Sequence, residues 1–504
     1  MPITRRVAIA IAAAIVLAPP SAGAVTTAPA SLRERALARE EAFHAILRAN
    51  ARPGGQAAPL PTAPVPPTIA GARAQYQTVA SVGRIARDTS PPQPDSEPDT
   101  QVEPDIAVSP LDPRVIVATF QQGRFRDGGS VDPGFATSHD GGVTWRHGNL
   151  PHLTTAVGGR WERASDPVVA FAPGGRVYIQ TLVINTTNCD NGVAVQRSDD
   201  GGYTWTDPFI VQEDGCEGFN DKNWLTVDTS PTSPHRGRVY SVWDRVTSRG
   251  APQLLRWSDD RGEHWGPLVH VTVGDADTIG AQPVVQPNGS LTNVYYRFAA
   301  DGLRLVSKTS HDGGATFTDH VLVNHAFPSE PADMRTGGLP SATVDPVTGH
   351  IFVTWQDVRF RSDGLNDVVI TRSTDGGRTW LMLGRVNDES ALARRDNFTP
   401  DVAALGGRVF VTYRTRSNRD GPSLSVDERF VHSPDAGRSF TGELVLGPPS
   451  DLRYAARSRG YFLGDYMGVA AAPDGSVHAV WCLSTLPPVP ARFFQTTWSA
   501  TILR

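Results

Sequence analysis

The sequence predicts an all-β fold: a seven-bladed β-propeller, with a six-bladed wheel as the alternative, preceded by an N-terminal helix and a Pro-rich linker. Three observations predict it. One octapeptide recurs six times, its serines 52 to 63 residues apart, and a repeat of that period means a solenoid or a propeller. Seven apolar segments of the kind that form innermost strands run through the same stretch. Finally, 48 Gly and 41 Pro in 504 residues favour many short strands over long helices. The composition also excludes classes of function. A net charge of −5 provides no basic field for nucleic acid. Three cysteines are too few for a Cys-based zinc cluster or a disulfide scaffold.

Taken in order, residues 1–24 read as a signal peptide. Arg5 and Arg6 precede an apolar run from Val7 to Ala18, then Pro-Pro and the small-residue site Ala22-Gly23-Ala24. The run is well short of the ~20 residues a membrane span needs. The expected product starts at Val25 and is secreted, with both the general and the twin-arginine export routes open. Residues 25–73 hold one exposed helix, SLRERALAREEAFHAILRAN, rich in helix formers, and a linker with six prolines between Arg52 and Gly71. Residues 74–504 form the propeller.

The octapeptides are SHDGGVTW, SDDGGYTW, SDDRGEHW, SHDGGATF, STDGGRTW and SPDAGRSF. Each lies between alternating strands and so makes a hairpin turn. The carboxylates of Asp140, Asp200, Asp260, Asp312, Asp375 and Asp435 accept backbone N–H groups there, and glycine supplies positive φ. Innermost strands are expected near Pro104, Pro167, Trp224, Gln282, Pro340, Pro400 and Met467. The last unit has a third strand near Phe493 to Leu503 and no chain left for a fourth. The segment Ala74 to Ser81 can supply it, closing the ring and removing an open edge.

Successive strands run antiparallel, so the octapeptide turns share one face of the disc, and the long charged loops share the other. That second face is the expected site, or mouth. It gathers Arg163 and Asp166, Asp221 and Lys222, Arg335, Arg395 with Asp396, Arg459 with Asp465, and the pair Asp357 and Arg359 at a strand end. Lys222 is one of two lysines against 45 arginines. Ionisable groups converging on one mouth point to an anionic ligand or sugar. Cys189 and Cys216 leave adjacent strands of one blade on this face, within reach of a disulfide, whereas Cys482 reads as a buried thiol.

The octapeptides resemble Asp-box, or BNR, repeats, and residues 75–504 resemble the sialidase-like β-propellers that carry them. Sialidases hold a substrate carboxylate with three arginines, use an Asp as acid/base, and attack with a Tyr assisted by a Glu. Carried onto this chain, the resemblance implies Arg335, Arg395 and Arg459 as the arginines, Asp357 as the acid/base, Glu330 as the assisting carboxylate, and Tyr461 or Tyr466 as nucleophile. The family's Arg-Ile-Pro signature is absent, its nearest match being Arg84-Ile85-Ala86. Three readings stand: a secreted sialidase-like glycoside hydrolase, a non-catalytic propeller binding a glycan or protein, and a polysaccharide lyase. None needs a cofactor, and a structural cation in the channel is compatible with all three.

Overall fold

The computed structural model describes residues 32–50, 76, 78–273, 276–300, 302–388 and 393–504. The segment read as a signal peptide and the Pro-rich stretch both lie outside these residues. After one helix, α1 (Leu32–Asn50), the described chain is built of β-strands joined by turns and two single-turn 3₁₀ segments. The strand sequences explain why. Val177–Ile184 (VYIQTLVI) and Ile351–Asp357 (IFVTWQD) are buried at every position, which suits β-branched and aromatic residues packed on both faces of a sheet.

The described strands make five sheets of four or more strands, and a small three-stranded one formed by Met334–Arg335, Ala456–Arg457 and Tyr461–Phe462. Counted by continuous sheets the arrangement is five-bladed, which corrects the expectation of seven blades and its alternative of six. The largest sheet has 12 strands. It joins residues 96–149, residues 163–214, and residues 468–503 with strand Thr78–Arg84. Single bridging pairs, Ser130 to Ala164 and Thr100 to Gln495, make the junctions. Counting innermost strands treats each as the start of a separate sheet, and no sequence pattern marks two such one-residue bridges.

Strand Thr78–Arg84 pairs antiparallel with the last strand, Gln495–Leu503, from Thr78 opposite Leu503 to Arg84 opposite Trp498. The two ends of the described propeller therefore close on each other and leave no free edge at the join. The core lies between neighbouring sheets. Val168, Leu182 and Val193 pack on Leu225, Val227 and Trp243, and Phe352 and Ile370 pack on Val411 and Phe440.

The six octapeptides share one turn geometry. Asp140 Oδ1 accepts from the N–H groups of Val143 at 3.1 Å and Thr144 at 2.8 Å, and Oδ2 accepts the Thr144 hydroxyl at 2.6 Å. The hydrogen bond from the Thr144 side chain, foremost, holds this carboxyl down at about 2. Asp200, Asp312 and Asp375 use Thr204, Thr316 and Thr379 in the same way. Asp435 uses Ser439, and Asp260 meets the His264 ring at 2.6 Å. Gly142 shows what the glycine does: its φ is 88°, and a Cβ there would sit 2.7 Å from the Thr501 hydroxyl.

Helix α1 differs from the sequence reading in its position. It was expected to be exposed; instead Ala36, Phe43, His44 and Leu47 are buried against the mouth of the propeller. The reason is its stripe at i, i+3, i+4 and i+7, which mixes apolar with charged residues. Arg39, Glu40 and His44 interrupt the apolar face, so no hydrophobic periodicity marks it as a packing surface.

Candidate functional site

One irregularity builds the mouth. In five innermost strands the register slips: between Val102 and Asp105, Ser165 and Val168, Asp221 and Trp224, Ile279 and Gln282, and Phe398 and Asp401. A residue inside each bulge has positive φ: Glu103 53°, Asp166 48°, Lys222 31°, Gly280 82° and Thr399 49°. Proline follows at 104, 167 and 400; it has no N–H to give a ladder, so it sits where the ladder is broken. Bulges re-aim side chains and recur beside functional sites. Here they turn Glu103, Asp166 and Lys222 towards one cavity of about 360 Å³.

The walls of that cavity are charged. Arg335 is held by Asp465 through Nη2 to Oδ2 at 2.5 Å and Nε to Oδ1 at 3.3 Å, and its Nη1 donates to the Ser458 hydroxyl at 2.7 Å. Its guanidinium lies 4.7 Å from the Phe462 ring centre, with Arg124 at 5.2 Å from the same ring. Arg335 and Arg459 both meet one carboxylate, that of Glu40 on α1, Arg335 at 2.8 Å. Burial works against the charges of Glu40 and Asp465, but the surrounding cations together outweigh it, Arg335 foremost, with His44 at both and Arg459 at Glu40, and hold both carboxyls below their usual range.

Glu103 behaves in the opposite sense. Burial, then the neighbouring Asp166 and Asp465, push its carboxyl well above the usual range, so it keeps a proton where an ordinary glutamate has lost one. Gln121 donates to it. Burial also lifts Asp221 to about 6 and Asp105 to about 7. The Lys222 ammonium is buried, with no hydrogen-bond acceptor among the described residues. It lies 4.1 Å from the Tyr466 ring centre and 4.6 Å from that of Trp224, so the aromatic faces compensate its charge. Chemically, the site can clamp a carboxylate between two guanidiniums and supply a proton from a buried acid.

Of the residues expected at the mouth, Asp166, Asp221, Lys222, Arg335, Arg459 and Asp465 line the cavity together. Arg163 stands behind it, bound to Asp127 at 2.7 Å and to the Gly128 carbonyl. The others are placed elsewhere. Asp357 is fully buried, accepting from Trp355, Phe327 and Arg359, so Asp357 and Arg359 close on each other. Asp396 is buried on Asn366, and Arg395 lines a separate shallow pocket with Thr415 and Asp427. Glu330 pairs with His44 of α1 at 2.9 Å. Tyr461 packs with Met334 and Phe398 beneath Arg457. The Tyr466 hydroxyl donates to the Pro167 carbonyl at 3.0 Å, and burial raises its pKa well above the ordinary value.

Cys189 and Cys216 are joined by a disulfide with Cα atoms 4.9 Å apart, and Cys482 is a buried free thiol. Among the described residues, no helix is long and apolar enough to cross a membrane, and no group of three or more His, Cys, Asp or Glu is placed to hold a metal ion. Sequence reasoning missed the part played by Arg39, Glu40 and His44. Glu103, with Asp105, is among the interblade-loop residues that the sequence reading expects at the mouth, and it lines the cavity; that reading assigns it no role as an acid, although a Glu-Pro inside an otherwise regular inner strand signals a bulge there.

No protein-family model matches the chain. A xyloglucanase from Paenibacillus is 27% identical over 300 residues, which are 54% of this chain and 26% of that protein; the chain thus spans about a quarter of its curated relative. Among solved structures, an α-L-arabinanase of Penicillium chrysogenum matches with a TM-score of 0.46 at 16% identity, over 67% of this chain and 94% of that one. An α-L-arabinofuranosidase of Fusarium graminearum matches at 0.46 and 14%, over 74% and 98%. The intramolecular trans-sialidase of Ruminococcus gnavus matches at 0.44 and 16%, over 65% and 92%.

Proposed function

We propose that the mouth binds an acidic sugar of a glycan, and that the chain is a secreted, sialidase-like glycoside hydrolase. One observation carries the reading: Arg335 and Arg459 converge on a single carboxylate beside a buried acid, Glu103, that keeps its proton. In this account the two guanidiniums anchor the sugar carboxylate. Glu103 protonates the departing glycosidic oxygen, and Asp166, on the same cavity, acts as the second carboxylate of a two-carboxylate glycosidase, in place of the tyrosine that sialidases use. Tyr466 is not assigned the attack, because its hydroxyl is engaged by Pro167. The naming of the Paenibacillus relative as a xyloglucanase supports the reaction class. The Cys189–Cys216 disulfide supports an oxidising, exported location.

The test is release of 4-methylumbelliferone from a panel of its glycosides, the sialoside and uronides included, by the intact chain and by chain cut between residues 51 and 75. Turnover that Glu103→Gln and Arg335→Ala both abolish is the expected result. A second reading, a propeller that binds glycans without cleaving them, is favoured by the engagement of Tyr466 with Pro167 and of Asp357 with Arg359. Glycan-array binding with no release from any substrate would decide for it.

A further inference from the structure

The mouth is occupied by part of the same chain. We propose that α1 is a removable plug: a helix that docks in cis on the ligand site and has to leave before a ligand enters. What the plug excludes rests on the function proposed above; the docking itself does not.

Four polar side chains and two apolar ones seat the helix. Arg39 faces three carboxylates: Asp277 at 2.8 Å, Asp244 at 3.5 Å and Asp221 at 3.7 Å. Glu40 sits on Arg335 and Arg459. His44 and Arg48 meet Glu330 at 2.9 and 3.5 Å. Phe43 packs edge-on against Phe298 at 5.8 Å and tilted against Tyr296 at 6.3 Å, and Leu47 is buried beside it. In the direct ion pairs the signs are complementary: a cation of the helix meets a carboxylate cluster, and its anion meets a guanidinium pair.

These contacts join a core-like anchor, Phe43 and Leu47 in one apolar cluster with Ile279, Val294 and Tyr296, to ion pairs of the kind a bound ligand makes. The helix adds no strand to any sheet, and the ring closes through Thr78–Arg84 without it. Its seat relies on ion pairs, whose strength depends on both partners staying in place. Its side chains Ala36, Leu37, Glu40, Phe43 and His44 form one wall of the cavity. Glu40 also takes the same Arg335 nitrogen that holds Asp465, so an incoming carboxylate and Glu40 compete for one donor.

Two measurements test the plug. In the full-length chain, Glu40→Arg places a third cation against Arg335 and Arg459. Amide hydrogen exchange across residues 32–50 is expected to accelerate at least tenfold, with the sheets unchanged. Next, a protease site is inserted between residues 51 and 75 and cut after folding, and a labelled peptide of residues 32–50 is added back. The peptide is expected to rebind, and its Glu40→Arg form to bind at least tenfold more weakly. Unchanged exchange in Glu40→Arg, or no rebinding of the parent peptide, overturns the proposal. Sialyllactose and an oligogalacturonate are then added as competitors. If the peptide rebinds and neither sugar displaces it, the acidic-sugar reading fails and the plug stands.

Discussion

Arg335→Met tests whether the guanidinium at the centre of the mouth is a charge that its surroundings need. The substitution keeps an apolar stem over Phe462 and removes the cation from Asp465, Glu40 and Ser458. The Arg335 and Asp465 side chains are only 11% and 13% exposed, so solvent screens the pair little. Removing one partner of such a pair costs about 3–5 kcal/mol. With roughly 2.1 cal/mol/K of unfolding entropy per residue over a chain this long, that lowers the melting temperature by about 3–5 °C. The pH dependence follows from the sign of the shift. In the parent, Asp465 titrates below its ordinary value, so the pair's contribution is complete above the ordinary carboxylate pKa and fades as pH falls through the lowered one. In Arg335→Met, burial is the dominant influence left, with Glu40 acting in the same sense and His44 against it, and lifts the carboxyl, so the native state holds the proton more tightly than the unfolded chain and stability falls as pH rises. Melting curves of parent and variant should therefore diverge between pH 4 and pH 8. A gap below about 1 kcal/mol, equal at both pH values, would refute the reasoning.

Three further outcomes are expected. Asp200→Ala removes a turn acceptor that is partly solvated, so it should cost about 1 kcal/mol, the low end for a lost hydrogen-bond partner, with sugar binding intact; lost binding at unchanged melting would refute the placement of the site. Cys216→Ser opens a disulfide between positions 27 apart in sequence, worth roughly 3–4 kcal/mol on the chain-entropy model, and unchanged melting under oxidising conditions would contradict that. His44 is faced by Glu330, by Glu40 of its own helix and by Arg335. Burial opposes its charge, yet the two carboxylates raise its pKa, so its contribution to docking is complete below 6.5 and is lost as pH rises through the raised value. Exchange across residues 32–50, corrected for the intrinsic rate, should accelerate on that rise; a flat profile from pH 5.5 to 9 would count against it.

The parts of this molecule that repeat were legible in its sequence. Six octapeptides give six equivalent turns because the Asp accepts backbone N–H groups and the Gly takes positive φ in each, with a hydroxyl closing on the carboxylate in five and His264 in the sixth. The return of an N-terminal strand to Gln495–Leu503 followed from a unit one strand short, although the strand that pairs, Thr78–Arg84, runs beyond the expected Ala74 to Ser81, of which residues 74, 75 and 77 lie outside the described residues. Sheet count was not legible, because one-residue bridges such as Thr100 to Gln495 leave no pattern. At the mouth, loop membership identified Arg335, Arg459, Asp166 and Asp465, but it could not separate them from Asp357, which meets Trp355 and Arg359 inside the fold. Helix α1 was misplaced for a related reason. Arg39 and Glu40 look solvated by composition, and only the carboxylates and guanidiniums opposite them show that they face inward.

The most direct test of the central claim is a crystal structure of the chain cut between residues 51 and 75, freed of the 32–50 peptide and soaked with an acidic oligosaccharide. The account predicts a sugar carboxylate between Arg335 and Arg459, where Glu40 sits in the intact chain, with Glu103 facing a glycosidic oxygen. Sugar seated in the pocket that Arg176 and Arg238 line beside the octapeptide residues Asp199 and Asp259, or in the pocket that Arg395 lines, with Arg335 and Arg459 untouched, would contradict it.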